Sequence, residues 1–91
     1  MKFKLFWKEG CPMCPAAKNV IHQLICSGYQ AMEYDLETTE GLAEAAFYAV
    51  LSTPTIILLD EQDNSIAEWR GKVPTFEEAQ AAASAWQMAK A

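Results

Sequence analysis

The sequence predicts an α/β fold in the order β-α-β-α-β-β-α, a four-stranded mixed sheet with helices on both faces. Three observations carry this prediction. An alternating strand pattern at the N-terminus passes through Gly10 into a helical pattern. The continuous aliphatic run Thr55 to Leu59 reads as a strand buried on both faces. Thr75 with Glu78 forms a capping-box pair ahead of a last helix.

Each element has its own signal. Phe3, Leu5 and Trp7 alternate with Lys2, Lys4 and Phe6 in the first strand. Gly10 breaks it before Cys11. Pro15 suits the first turn of a helix, and Ala17, Val20, Ile21, Leu24 and Ile25 follow helical spacing as far as Gly28, the natural stop. Tyr29 to Leu36 reads as a second strand with Met32, Tyr34 and Leu36 on one face. Thr38 and Thr39 can cap a second helix, predicted to run to about Leu51 with Leu42, Ala45, Ala46 and Ala49 on its apolar side. Asp60 to Ser65 carries turn residues, and Ile66 to Arg70 is the return strand, ended by Gly71. Phe76, Ala79, Ala82, Ala83 and Trp86 form the buried stripe of the last helix.

The bulk numbers bound the possibilities. Ninety-one residues are expected to make one domain, residues 1–91, and 52% hydrophobic residues supply ample material for its core. A net charge of −5 gives nucleic-acid binding no electrostatic support. No apolar run is long enough to span a bilayer, and the segment Met1 to Lys8 is too short and too charged for a signal peptide. A cytoplasmic location is the expectation. The three cysteines, an odd number, do not suit a structural disulfide framework.

Cys11 and Cys14, in the run Cys-Pro-Met-Cys, carry the chemistry. Two thiols separated by two residues can close a disulfide with little backbone movement, and a helix N-terminus favours the thiolate. Cys11 in the loop would be the attacking sulfur, and Cys14 on the first helical turn would resolve the mixed disulfide. Lys8 and Lys18 would add positive field, opposed by Glu9. A zinc site is the competing reading of such a pair, and it needs four ligands. Only His22 and Cys26 remain, and they lie roughly 12 and 18 Å beyond Cys14 along the same helix. They cannot complete a monomer's site. No metal and no cofactor are expected. Cys26 is expected to be a partly exposed thiol on the face shared with Lys18, Asn19 and His22.

Three segments resemble the thioredoxin/glutaredoxin superfamily, and together the resemblance covers nearly the whole chain. Phe6-Trp7-Lys8-Glu9-Gly10-Cys11 resembles the thioredoxin approach to the reactive cysteine. Cys11-Pro12-Met13-Cys14 with Ala17-Lys18 resembles the glutaredoxin pattern. Tyr48 to Thr55, containing Thr53-Pro54-Thr55, resembles the thioredoxin segment that ends in Ile-Pro-Thr. The resemblance implies a thioredoxin-like fold, a cis Pro54 against the cysteine pair, and a Thr53 backbone exposed to an extended peptide. The expected substrate-facing residues are Thr53 and Pro54 from this resemblance, Pro12 and the flexible thioether of Met13 between the cysteines, and Trp7, a mainly structural aromatic that also shapes the surface.

There are departures from the pattern. Gly10 stands where thioredoxins have Trp before the first cysteine. Leu5 stands where they have a buried Asp linked to proton transfer at the second cysteine. Where glutaredoxins hold glutathione, Arg70-Gly71-Lys72-Val73-Pro74 keeps only the glycine, and Arg70 or Lys72 remains as a candidate holder of a carboxylate. The implied activity is dithiol–disulfide exchange on protein disulfides by a monomer. The implied electron donor is thioredoxin reductase, with glutathione as the alternative. A CxxC module that carries a metal or iron–sulfur cluster between subunits is the reading from a different class.

Overall fold

Strand β1 (Lys2–Trp7) is buried on both faces: Phe3 and Leu5 on one, Lys4 and Phe6 on the other. That pattern marks the middle layer of a sandwich rather than a half-exposed sheet. In the computed structural model, which describes residues 1–90, β1 is followed by α1 (Cys14–Cys26), β2 (Gln30–Asp35) and α2 (Thr39–Phe47). Then come β3 (Thr55–Leu59), β4 (Ser65–Arg70) and α3 (Phe76–Lys90). The sheet order is β2-β1-β3-β4. β2 runs parallel to β1, whereas β3 is antiparallel to β1 and β4 antiparallel to β3. The predicted order and the mixed sheet are both found.

The helices divide between two cores. Phe3, Leu5, Ile56 and Leu58 pack against Ala17, Val20, Ile21 and Leu24 of α1 and against Ala79 and Ala83 of α3. On the other face Phe6, Ile57, Leu59 and Tyr34 pack against Ala45 and Val50, with the Phe6 and Tyr34 rings stacked at 5.5 Å. Lys4 enters this second core. Its Nζ donates to Glu44 Oε1 at 2.6 Å and lies 5.0 Å from the Tyr48 ring centroid. Burial alone would lower its pKa, but the hydrogen bond to Glu44 and the neighbouring tyrosines outweigh it, leaving the value raised. Alternation marked Lys4 as a polar-face residue. It is instead a buried cation that pins α2 to the sheet.

The ends of α1 and α2 share one design. At α1, Tyr29 N–H bonds to the Leu24 carbonyl and Gly28 N–H to the Ile25 carbonyl, with Gly28 at φ 95°. At α2, Val50 N–H bonds to the Ala45 carbonyl and Ala49 N–H to the Ala46 carbonyl, with Ala49 at φ 54°. Both are left-handed caps that satisfy the last carbonyls of a helix. The predicted second helix runs to about Leu51. The helix ends at Phe47, and alanine takes the left-handed position. Its buried face is also corrected: Gly41 and Ala45 are buried, while Leu42 is 57% exposed and Ala46 and Ala49 are exposed.

Gly41 is buried because α2 starts hard against β2. A Cβ there would lie 1.9 Å from the Asp35 carbonyl oxygen. Thr38 sets that contact, since its hydroxyl donates to the Asp35 carbonyl and accepts from Gly41 N–H. Tyr34 is buried and Leu36 packs beside the second core, whereas Met32, predicted to share their face, is 48% exposed at the sheet edge. Ile25, placed on the apolar stripe of the first helix, is likewise 48% exposed. At α3 the capping box forms in both directions, Glu78 N–H to Thr75 Oγ1 and Thr75 N–H to Glu78 Oε1. Among the described residues, no helix is long and apolar enough to cross a membrane.

Candidate active site

β1 delivers the chain to the site, and α1 receives it. After Trp7 the backbone turns at Gly10, φ 78°, and the α1 helix begins at Cys14 with Met13 as its N-cap. Neither a capping side chain nor an acidic residue occupies the first turn of α1, and Pro15 has no N–H to contribute. The partial positive charge of the helix end is therefore left for the sulfurs. Cys11 and Cys14 are joined in a disulfide with Cα atoms 5.4 Å apart, and Cys14 N–H bonds to the Cys11 carbonyl at 3.2 Å.

The two sulfurs are not equivalent. Cys14 is 3% exposed, sealed by the start of α1, while Cys11 is only half-buried. Pro12 and Met13 project outward from the turn between them, Met13 at 44% exposure. A cavity of about 180 Å³ opens beside the pair, lined by Trp7, Gly10, Cys11, Cys14, Pro15 and Lys18 together with Lys8 and Glu9. Lys18 lies one helical turn after Cys14, its Nζ 3.3 Å from the centroid of the Trp7 ring. Leu5, at the position that the resemblance marks for a carboxylate, is fully buried among Ala17, Ile21 and Ile56.

Thr53 and Pro54 reach the same end of the sheet from the other side. Phe6 pairs with Thr55, so the chain enters β3 where β1 leaves for Cys11. The Thr53–Pro54 bond is cis, Pro54 is buried and Thr53 is half-buried. Neither lines the cavity beside the disulfide, which belongs to β1, α1 and the turn between them. Cys11, Cys14 and Trp7 therefore form one wall, while Thr53 and Pro54 form a separate shelf at the same end.

A cis proline and a bonded CxxC pair thus stand at the same end of a sheet whose fold known proteins share. The family described as Thioredoxin domain matches residues 1–84. The chain belongs to that family. It is 32% identical over 59 residues to the thioredoxin of Methanocaldococcus jannaschii, covering 64% of this chain and 69% of that one. The probable thioredoxin of Archaeoglobus fulgidus is also 32% identical over 59 residues, covering 64% of this chain and 65% of its own length. The structure of thioredoxin 1 from Thermosipho africanus superposes with a TM-score of 0.80 at 20% identity, over 99% of this chain and 98% of that one, a likeness of fold. With the bonded cysteine pair, this family membership makes the protein a thiol–disulfide oxidoreductase of the thioredoxin superfamily.

Other residues singled out from sequence lie away from the sulfurs. Cys26 is an exposed free thiol at the end of α1. His22 Nε2 stands 3.4 Å from Glu33 Oε2 on the outer face of the same helix. Among the described residues, no group of three or more His, Cys, Asp or Glu is arranged to hold a metal ion. Arg70 is already engaged on all sides, its Nε on the Glu68 carboxylate and its terminal nitrogens on the backbone ahead of Pro54, whereas Lys72 is exposed. That role of Arg70 went unseen in the sequence. Its only local sign was a cation at the last position of a strand.

Proposed function

We propose that the protein reduces disulfide bonds in other proteins, with Cys11 as the attacking thiolate and Cys14 as the resolving one. The observation that supports this best is the unequal burial of a bonded pair at an uncapped helix start. An incoming disulfide can reach Cys11 but not Cys14. The Cys11 thiolate attacks one substrate sulfur, forming a mixed disulfide and releasing the other sulfur as a thiolate. Cys14, losing its proton, then attacks the Cys11 sulfur, re-forming the internal disulfide and releasing the second substrate thiol. Two electrons pass to the substrate, whose two sulfurs leave as thiols.

Trp7, Pro12 and Met13 would face the substrate around Cys11, and Thr53 and Pro54 would receive its extended backbone. This reading treats residues 1–91 as one domain acting as a monomer in the cytoplasm, without a bound cofactor. The electron donor is thioredoxin reductase. The position of Arg70 supports that choice over glutathione, since one of the two cations suited to a glutathione carboxylate is already committed to backbone carbonyls and to Glu68.

The test is a comparison of reductants. Oxidised protein is incubated with NADPH and thioredoxin reductase, or with glutathione and glutathione reductase, and the appearance of thiols is followed. Rapid reduction by the first system and slow reduction by the second is expected. The reverse order would establish glutathione as the donor. Purification under nitrogen of a coloured, iron-containing protein would favour the cluster-carrier reading.

A further inference from the structure

The connection between α2 and β3 contains strongly exposed residues. Leu51 is 96% exposed and Ser52 is exposed, yet this stretch leads directly into Thr53 and Pro54. Its shape is imposed from β4. Arg70 Nη1 donates to the Ala49 carbonyl and Nη2 to the Tyr48 carbonyl, each at 2.9 Å. The adjacent Gly71 N–H donates to the Pro54 carbonyl at 2.8 Å. One strand end thus ties both ends of the connection. Inside it, Thr55 Oγ1 donates to the Ser52 carbonyl at 2.8 Å.

The Arg70 contacts fit its chemistry. Tyr48 and Ala49 close α2, where carbonyls lack helical partners and the helix end is partially negative. A guanidinium offers two parallel donors there and a third in the same plane. The third, Nε, donates to Glu68 Oε1 at 2.7 Å, and Glu68 Oε2 accepts from Ser65 Oγ at 2.7 Å. Glu68 orients the fork, and the fork orients the connection. A lysine at this position could reach one carbonyl but not two while holding Glu68.

We propose that Arg70 is a positioning residue for disulfide exchange: it locks the α2–β3 connection so that Thr53 and Pro54 are presented to a polypeptide substrate. The proposal rests on the reading that Cys11 and Cys14 reduce protein disulfides. A polypeptide uses the Thr53 backbone as an edge to lie along, as extended peptides do on sheet edges. A small disulfide needs only the Cys11 sulfur. Loss of Arg70 therefore weakens the capture of one substrate class and leaves the chemistry on the other intact.

The experiment measures reduction of insulin and of dithiobis(nitrobenzoic acid), a small aromatic disulfide, by wild type, Arg70→Ala and Arg70→Lys, with folding followed by circular dichroism. In Arg70→Ala the KM for insulin is expected to rise about five- to tenfold, with kcat and the small-disulfide rate within about twofold of wild type. Arg70→Lys, which keeps the charge and tolerates the same fold, is expected to recover less than half of that loss. An unchanged insulin KM in a folded variant overturns the proposal, as does an equal loss on both substrates. If wild type reduces neither substrate, the exchange reading itself has failed, an outcome distinct from either of these.

Discussion

The Lys18 ammonium stands 3.3 Å from the centroid of the Trp7 ring and closes one wall of the cavity beside Cys11 and Cys14. A cation so held lies over the indole face, in the cavity that the two cysteines also line. It is expected to favour the Cys11 thiolate. Lys18→Met keeps the apolar stem and removes the charge. Alkylation of Cys11 by iodoacetamide at pH 7 is expected to slow about two- to fivefold in that variant. An unchanged rate would mean that the helix end alone governs the thiolate.

The unequal burial of the two cysteines sets an order of events that single substitutions can read. Cys14→Ser is expected to accumulate a mixed disulfide between Cys11 and its substrate, seen as a mass adduct lost on reduction. Cys11→Ser is expected to abolish disulfide reduction, because Cys14 is 3% exposed and cannot meet an incoming disulfide. Full activity in Cys11→Ser would remove the mechanism.

Ala49 closes α2 at φ 54°, a conformation that costs an L-residue about 1–2 kcal/mol. Glycine removes that cost, while adding about 0.4–1 kcal/mol of chain freedom to the unfolded state. Ala49→Gly is therefore expected to stabilise the protein by about 0.5–1 kcal/mol, read from the midpoint of urea unfolding. A loss of stability would show that the alanine methyl contributes packing beyond its cap.

The Lys4–Glu44 pair at 2.6 Å makes opposite predictions for its two partners. Glu44→Gln strips the counter-charge from an ammonium whose side chain is 8% exposed, and is expected to cost about 1–3 kcal/mol. Lys4→Met removes the buried charge itself. It leaves a carboxylate that is 30% exposed and can hydrate, so a change within about 1 kcal/mol is expected. Equal losses in the two variants would contradict this asymmetry.

Glu68 gives the clamp a pH signature. The hydrogen bonds from Arg70 and then Ser65 hold its pKa below the usual carboxylate value, so the folded protein binds this proton less readily than the unfolded chain. Its contribution is present above the unfolded value near 4.5 and is lost as pH falls through the lower folded value. Unfolding measured between neutral and acidic pH is expected to show a shallower acid loss in Glu68→Gln than in wild type. Identical slopes would place the loss on other carboxylates.

Much of this was legible from local chemistry. The order of elements followed from strand alternation, the aliphatic run at Thr55–Leu59 and the Thr75–Glu78 box, each a signal within a few residues. Cys11 and Cys14 announced themselves by spacing. What stayed hidden depends on contacts made across the sheet. Lys4 reads as a surface residue until Glu44, forty positions on, appears above it. Ala49 cannot be told from a helical alanine, because its cap depends on Val50 burying itself against the second core. Arg70 reads as an exposed charge because its partners, Tyr48 and Ala49, lie more than twenty residues earlier.

Leu5 carries a consequence for the whole redox cycle. The floor under α1 is hydrocarbon, with Leu5, Ala17, Ile21 and Ile56 all fully buried. A carboxylate in that floor would gain or lose a proton as the sulfurs above it changed state, and would write its own titration into the protein's stability. Leucine has no proton to exchange. The oxidised and reduced forms therefore rest on the same uncharged floor under α1 at every pH. That floor adds no titration of its own to those of the thiols and the charges around the rim.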